Sequence, residues 1–192
     1  GTPPHLALAK GSTFDQRADE HGRSWDFLKA SDRRRARQRI IDERPYLVIG
    51  SPPCTNYNLI MSLVWPKLSP EERQRRTVEA RVLLEFAAEI YRLQLRAGRH
   101  FLHEHPATAT SWKLSVVTDF CARYPHLYAI TMHMCQFGMT SKVPGWDDAD
   151  GFAKKPTGFM TNSGELKKHL DVRCTGKDGL CSGGRTHVSC SG

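Results

Sequence analysis

The sequence has no apolar run approaching the roughly 20 residues needed to cross a bilayer, which excludes a membrane-spanning helix. Its opening, GTPPHLALAKG, lacks the long apolar centre of a secretory signal, and the abrupt start predicts a piece of something longer. No internal repeat is present, so a solenoid or propeller is not expected. Acidic residues are short: 20 Asp and Glu face 28 Lys and Arg, for a formal net charge of +8. That balance favours a polyanionic partner, nucleic acid first with DNA and RNA undistinguished, and ordinary solubility charge as the alternative. The basic residues are dispersed, apart from Arg33, Arg34 and Arg35 with Arg37 and Arg39. Arg33, Arg34 and Lys155 are the candidate phosphate contacts.

At 192 residues and 39% hydrophobic, the chain suits a globular domain with a small appendage rather than a disordered segment. The expected division is a catalytic domain over 1–170 and a Cys/His-rich appendage over 171–192. The six cysteines do not read as a secreted disulfide framework, because the chain carries its own apolar elements. A reducing, intracellular setting is expected.

Apolar periodicity and punctuation predict alternating strands and helices. Ser31-Asp32 can cap a basic helix over Arg33 to Glu43, stopped by Pro45. Tyr46 to Gly50 is a continuous apolar run, as in a buried parallel strand. Ser69-Pro70-Glu71-Glu72 is a helix start with a capping box, and Val78, Val82, Leu83, Phe86 and Ile90 share one face of the helix that Gly98 ends. Arg99 to His103 reads as a strand closed by a Glu104-His105-Pro106 turn. Trp112 to Tyr124 reads as a helix, Leu127 to Met134 as a strand, Met139 to Ala153 as a loop, and Phe159 to Thr161 as a short strand. This is the α/β rhythm, whose chemistry gathers where parallel strands end.

Three such ends carry unusual residues: Ser51-Pro52-Pro53-Cys54, Glu104-His105-Pro106 and Cys135-Gln136-Phe137-Gly138. Two prolines fix φ and remove amide donors, so the first holds a rigid turn that positions Cys54 with little entropy loss. A thiol held there reads as a nucleophile, or as a structural cysteine.

SPPCT after an apolar strand, followed by EHP, CQFG, KKPTGFMTN and CTGKDGLC in that order, resembles the cytosine-C5 DNA methyltransferases, in their compact phage-type and mobile-element branch. The resemblance covers roughly residues 10 to 190. It implies a class I S-adenosylmethionine-dependent methyltransferase-like (Rossmann-like) sheet with flanking helices and a reduced or truncated N-terminal strand. It implies Cys54 as the nucleophile that adds to C6 of a flipped cytosine, and Glu104 as the group that binds N3 and the exocyclic amine. It implies S-adenosylmethionine as methyl donor, with Asp15 and Asp26 in the places of acids that follow the second and third strands. Phe27 would then be an adenine neighbour, and Ser51 and Pro52 would line the cofactor side. A helix cap or solvated turn is the other reading of the two acids.

The sequence departs from the family in five places. The Gln-x-Arg-x-Arg element of larger members is missing, with Lys154-Lys155 as its candidate substitute. The glycine-rich first turn is absent, His105 stands where Asn is usual, and Asn58 stands where Ser often ends the loop. The segment from Met139 to Ala153 is also too short for a target-recognition domain, which leaves that task to a partner domain or a larger polyprotein. Two further readings stay open. One is an amino-methyltransferase of adenine or cytosine, in which an aromatic beside the SPP turn grips the amine. The other is a catalytically inactive nucleic-acid-binding module. In the tail, Cys174, Cys181, His187 and Cys190 make a candidate zinc set in a glycine-rich segment with little apolar content, the alternative being a flexible tail with free cysteines.

Overall fold

A computed structural model describes residues 11–15, 24–57, 61–143 and 146–188. The chain divides into two compact units, Gly1–Pro45 and Tyr46–Gly192, so the boundary expected at residue 170 falls inside the second.

The first unit holds α1 (Ala30–Glu43). Its N-cap is Lys29 with no side-chain cap, so Ser31-Asp32 lies inside the first turn rather than capping it; there Arg33 donates to the Phe27 and Leu28 carbonyls at 2.6 and 2.9 Å, and Asp32 accepts from the Asp26 amide at 2.9 Å. Arg44 ends the helix in the left-handed region (φ 47°), just before Pro45. Phe14, Trp25 and Phe27 form an aromatic group with centroids 4.8 to 6.4 Å apart, and the Arg35 guanidinium lies 4.1 Å above the Trp25 ring.

The second unit begins with β1 (Leu47–Gly50) and, after a 3₁₀ turn over Thr55–Tyr57, the short α2 (Met61–Val64). Next comes α3 (Pro70–Arg96), whose Ser69 hydroxyl caps the Glu72 amide at 3.2 Å as the sequence pattern requires. Then follow β2 (His100–Pro106), α4 (Ser115–Arg123), β3 (Tyr128–His133), β4 (Thr140–Val143), β5 (Trp146–Ala153), β6 (Pro156–Thr161), α5 (Gly164–Leu170) and β7 (His187–Val188). The main sheet has the order β1-β2-β6-β3. β1 pairs parallel with β2, and β6 is antiparallel to both β2 and β3, so the carboxyl ends of β1, β2 and β3 share one sheet edge.

Alternation along β2 splits the core into two layers. Phe101 packs with Tyr91 and Ala88 of α3, Phe120 of α4 and Met160 of β6. Leu102 faces the other way, with Ile130, Met132 and Phe159, against Leu166 and Leu170 of α5. Each fully buried Phe or Leu contributes about 1.5–3 kcal/mol, and these two layers hold the helices to the sheet. The result is mixed α/β, as expected.

Four sequence expectations change. β1 is an edge strand rather than a buried one: Ile49 is 65% exposed, and no described strand lies beyond it. Glu104-His105-Pro106 does not turn but stays in β2, because β6 runs alongside and pairs with it through Pro106↔Thr157. The loop expected over 139–153 is the β4–β5 hairpin. The short strand expected at Phe159 is the longer, central β6, buried over almost its whole length. In the KKPTGFMTN stretch, Thr161 donates to the Phe101 carbonyl at 2.5 Å, and Asn162 bonds Phe101 N–H and the Arg99 carbonyl at 3.1 and 3.0 Å. Ser163 caps α5 through the Leu166 amide at 3.3 Å. The end of that stretch therefore joins β6 to β2 and starts α5.

Candidate functional site

The parallel register places Gly50 opposite His103, so the chain leaving β1 runs beside Glu104 and His105. Ser51 Oγ donates to Glu104 Oε2. The His105 ring bridges Ser111 Oγ at 2.6 Å and the Pro52 carbonyl at 2.8 Å. A carbonyl only accepts, so His105 is the neutral tautomer with its proton on Nε2, and the Ser111 hydroxyl donates to Nδ1. Burial lowers its pKa, which favours the same neutral form. Two distant segments thus meet through paired side-chain bonds, with Glu104 on the open side and His105 beneath the turn.

Cys54 follows this turn and is half-buried, with its carbonyl accepting the Tyr57 amide at 2.8 Å. The thiol is free and not sealed in the core. Glu104 is also half-buried, one carboxylate oxygen being held by Ser51.

Beneath them lies a histidine layer. His103 shares a 2.9 Å hydrogen bond with the Tyr91 hydroxyl, meets the His105 ring tilted at 4.7 Å and the Trp112 ring edge-on at 5.3 Å, and is 1% exposed. Burial, then the neighbouring His105, pulls its pKa down to about 3, and its Nε2 has no hydrogen-bond partner. Burial, then the Glu104 charge, raises the Tyr91 pKa. His103 is therefore packed rather than facing the site.

Of the cofactor positions implied by the resemblance, Asp15, Asp26 and Phe27 lie in the first unit outside any described helix or strand, whereas Ser51 and Pro52 lie in the second. The Asp15 carbonyl accepts from the Trp25 amide at 2.9 Å, and the Asp26 carboxylate accepts from the Leu28 amide at 3.0 Å and pairs with Lys29 at 3.5 Å. These are local turn and cap contacts. In the second unit, the Ser51 hydroxyl and the Pro52 carbonyl are already engaged. No glycine-rich turn stands at a described strand end.

Of the candidate phosphate contacts, Arg33 is committed to two backbone carbonyls, and Arg34 is exposed on α1. Lys155 is exposed at the start of β6, on the same sheet edge as Glu104, with a positive φ of 23°.

The third strand end joins a different group. β6 separates β3 from β2, so Cys135 lies about two strand spacings, ~10 Å, from β2. Cys135 instead gathers with Cys174, Cys181 and His187, whose ligand atoms all lie within 4.8 Å of one another, in a Cys3His cluster that could hold a metal ion. Amide donors surround Cys174: the Ser182 N–H reaches its sulfur at 3.4 Å, and bonds of this kind from Ser182 and Gly176 hold the thiol down to about 5. Burial pushes Cys135 up to about 11. Gln136 Nε2 lies 3.6 and 3.5 Å from the Cys135 and Cys181 sulfurs, and Ser182 Oγ donates to Gln136 Oε1 at 3.1 Å. Cys174, Cys181 and His187 are brought together as expected, whereas Cys190 lies outside the described residues, as does Asn58. Cys135 was missed, because 39 residues separate it from Cys174 and the Cys-x-x-Gly spacing assigned it elsewhere. Comparison with known proteins returned no match to any family model, curated protein or solved structure.

Proposed function

We propose that this chain is a cytosine-C5 DNA methyltransferase-like protein whose described residues supply the base side of the reaction. The observation that carries the reading is the meeting of the SPPC turn with Glu104, through Ser51 on one side and His105–Pro52 on the other. A flat pyrimidine between Cys54 and Glu104 would have a thiol near C6 and a carboxyl near N3 and the amine. The thiolate adds to C6, and the C5=C6 electron pair moves to C5, where a solvent proton is taken up. Loss of the original C5 hydrogen and expulsion of the thiolate restore the ring, so the net result is hydrogen exchange at C5. Glu104 stabilises the ring as charge develops, and Ser51 fixes the carboxylate's orientation. A base inside a duplex presents neither face of C6, so the substrate is a flipped or single-stranded cytosine. Lys155 lies at the edge where a phosphate backbone would approach.

The thiolate addition rests on Cys54 and Glu104 and needs no methyl donor. The test therefore omits the cofactor: Cys54-dependent release of tritium from DNA carrying [5-³H]cytosine. Release by the native chain and none by Cys54→Ser is expected. Equal release by both would refute the thiolate route. DNA binding without release would favour the second reading, a nucleic-acid-binding module. The amino-methyltransferase reading loses its aromatic, because Tyr57 is 9% exposed and packs against Ala80 and Ala109.

A further inference from the structure

We propose that Cys135, Cys174, Cys181 and His187 form a closed, structural zinc site that clamps the C-terminal segment onto the end of β3. Two of the six donor–donor edges already have tetrahedral lengths, and none of the six exceeds 4.8 Å. Zinc bonds of about 2.3 Å to sulfur and 2.0–2.1 Å to nitrogen put tetrahedral S···S edges near 3.8 Å and S···N edges near 3.6 Å. Cys174 Sγ lies 3.7 Å from Cys181 Sγ and 3.6 Å from His187 Nε2. A disulfide would need about 2.05 Å, and these cysteines are free. Three thiolates and one imidazole select zinc over the hard cations. Four protein ligands leave no open position, which makes the site structural rather than catalytic.

Packing points the same way. Between residues 171 and 188 the only buried side chains are Cys174 and Cys181. Among the described residues, the partly buried hydrophobic packed against this cysteine cluster is Phe152, beneath the Arg185 guanidinium at 5.2 Å. Such a segment has too little apolar surface to offset the entropy of ordering it, and metal ligation supplies what the core does not. The backbone is shaped for the task. A Cβ on Gly176 would fall 2.1 Å from the Leu180 carbonyl, and Gly179 and Gly184 take φ of 80° and 83°. Outer bonds orient the sulfurs: Ser182 and Gln136 donate to them, and the Cys174 amide donates to His133 Nδ1 at 3.0 Å. The clamp also reaches β5, where His187 and Val188 pair with Phe152 and Ala153, the residues that lead into Lys154 and Lys155.

This inference is independent of the chemistry proposed at Cys54. Its test is metal analysis of the full, reduced chain, followed by cobalt(II) titration of the metal-free protein. One zinc per chain and the intense visible bands of tetrahedral cobalt thiolate are expected. Cys135→Ser should weaken cobalt binding at least about 100-fold, above the effect of losing an outer-shell bond, while Cys190→Ser should leave it unchanged. His187→Cys keeps four ligands, so it should retain the metal and gain sulfur-to-cobalt charge-transfer intensity. Absence of tetrahedral cobalt in the native chain, a loss with Cys190→Ser equal to that with Cys135→Ser, or an unchanged spectrum in His187→Cys would each overturn the proposal.

Discussion

Gly50 closes β1 one residue before the SPPC turn, and α3 crosses so near it that a side chain cannot fit. A Cβ there would lie 2.1 Å from the Tyr91 hydroxyl oxygen and 2.9 Å from Cζ. Tyr91 cannot swing aside, being 2% exposed, stacked on Phe101 at 4.5 Å and bonded to His103. Gly50→Ala should therefore cost about 1–3 kcal/mol, as overpacked cores do. With a urea slope of about 1–3 kcal/mol per molar, the midpoint should fall by roughly 1 M. Tyr91→Phe removes the atom responsible for the closest approach, at its own cost of about 1–3 kcal/mol for the abandoned His103 nitrogen. In that background the alanine has only the ring carbons at 2.9 and 3.1 Å to displace. The double variant should be more stable than the sum of the single losses by about 1 kcal/mol. Urea unfolding of all four proteins measures the coupling. Additivity within about 0.5 kcal/mol would show that α3 does not constrain the end of β1 in this way.

The remaining expectations concern the histidines, the reacting groups and the metal loop. His103, with its pKa near 3, and His105, also lowered, stay neutral in the folded chain where the unfolded chain binds protons, so stability falls as pH drops below the unfolded value of about 6.5. At pH 5.5 His103 alone should remove about 1.4 kcal/mol relative to neutral pH, and the loss continues toward pH 3; urea midpoints that do not move between pH 7.5 and 5.5 would contradict it. Glu104→Gln should slow tritium release about 10²–10³-fold without changing the urea midpoint by more than about 0.5 M, which separates loss of charge stabilisation from misfolding. Gly176→Ala should weaken cobalt binding at least about 10-fold, because the Leu180 carbonyl and the Cys181–Ser182 peptide crowd the new methyl and backbone cannot retreat as a side-chain tip can. Chelation of the native chain should raise amide exchange over residues 171–188 while leaving β2 and β6 protected, and uniform protection throughout would mean that no metal holds the segment.

Local signals in the sequence were enough for several elements. Ser69 and the acids after it specify the start of α3, Gly98 follows its end, and Pro45 follows the end of α1. Each depends on contacts a few residues apart, so the residue types alone carry the information. Strand order is different in kind. That β6 enters between β2 and β3 is set by pairing across long stretches of chain, and it keeps EHP extended, moves the Cys135 end away from the SPPC turn and leaves β1 at the edge. Cys135 joined a Cys/His cluster, and His105 became the prop of the turn, because folding brought them to partners 39 and 53 residues away. Spacing along a chain carries no trace of such meetings; they exist only once the sheet has chosen its neighbours.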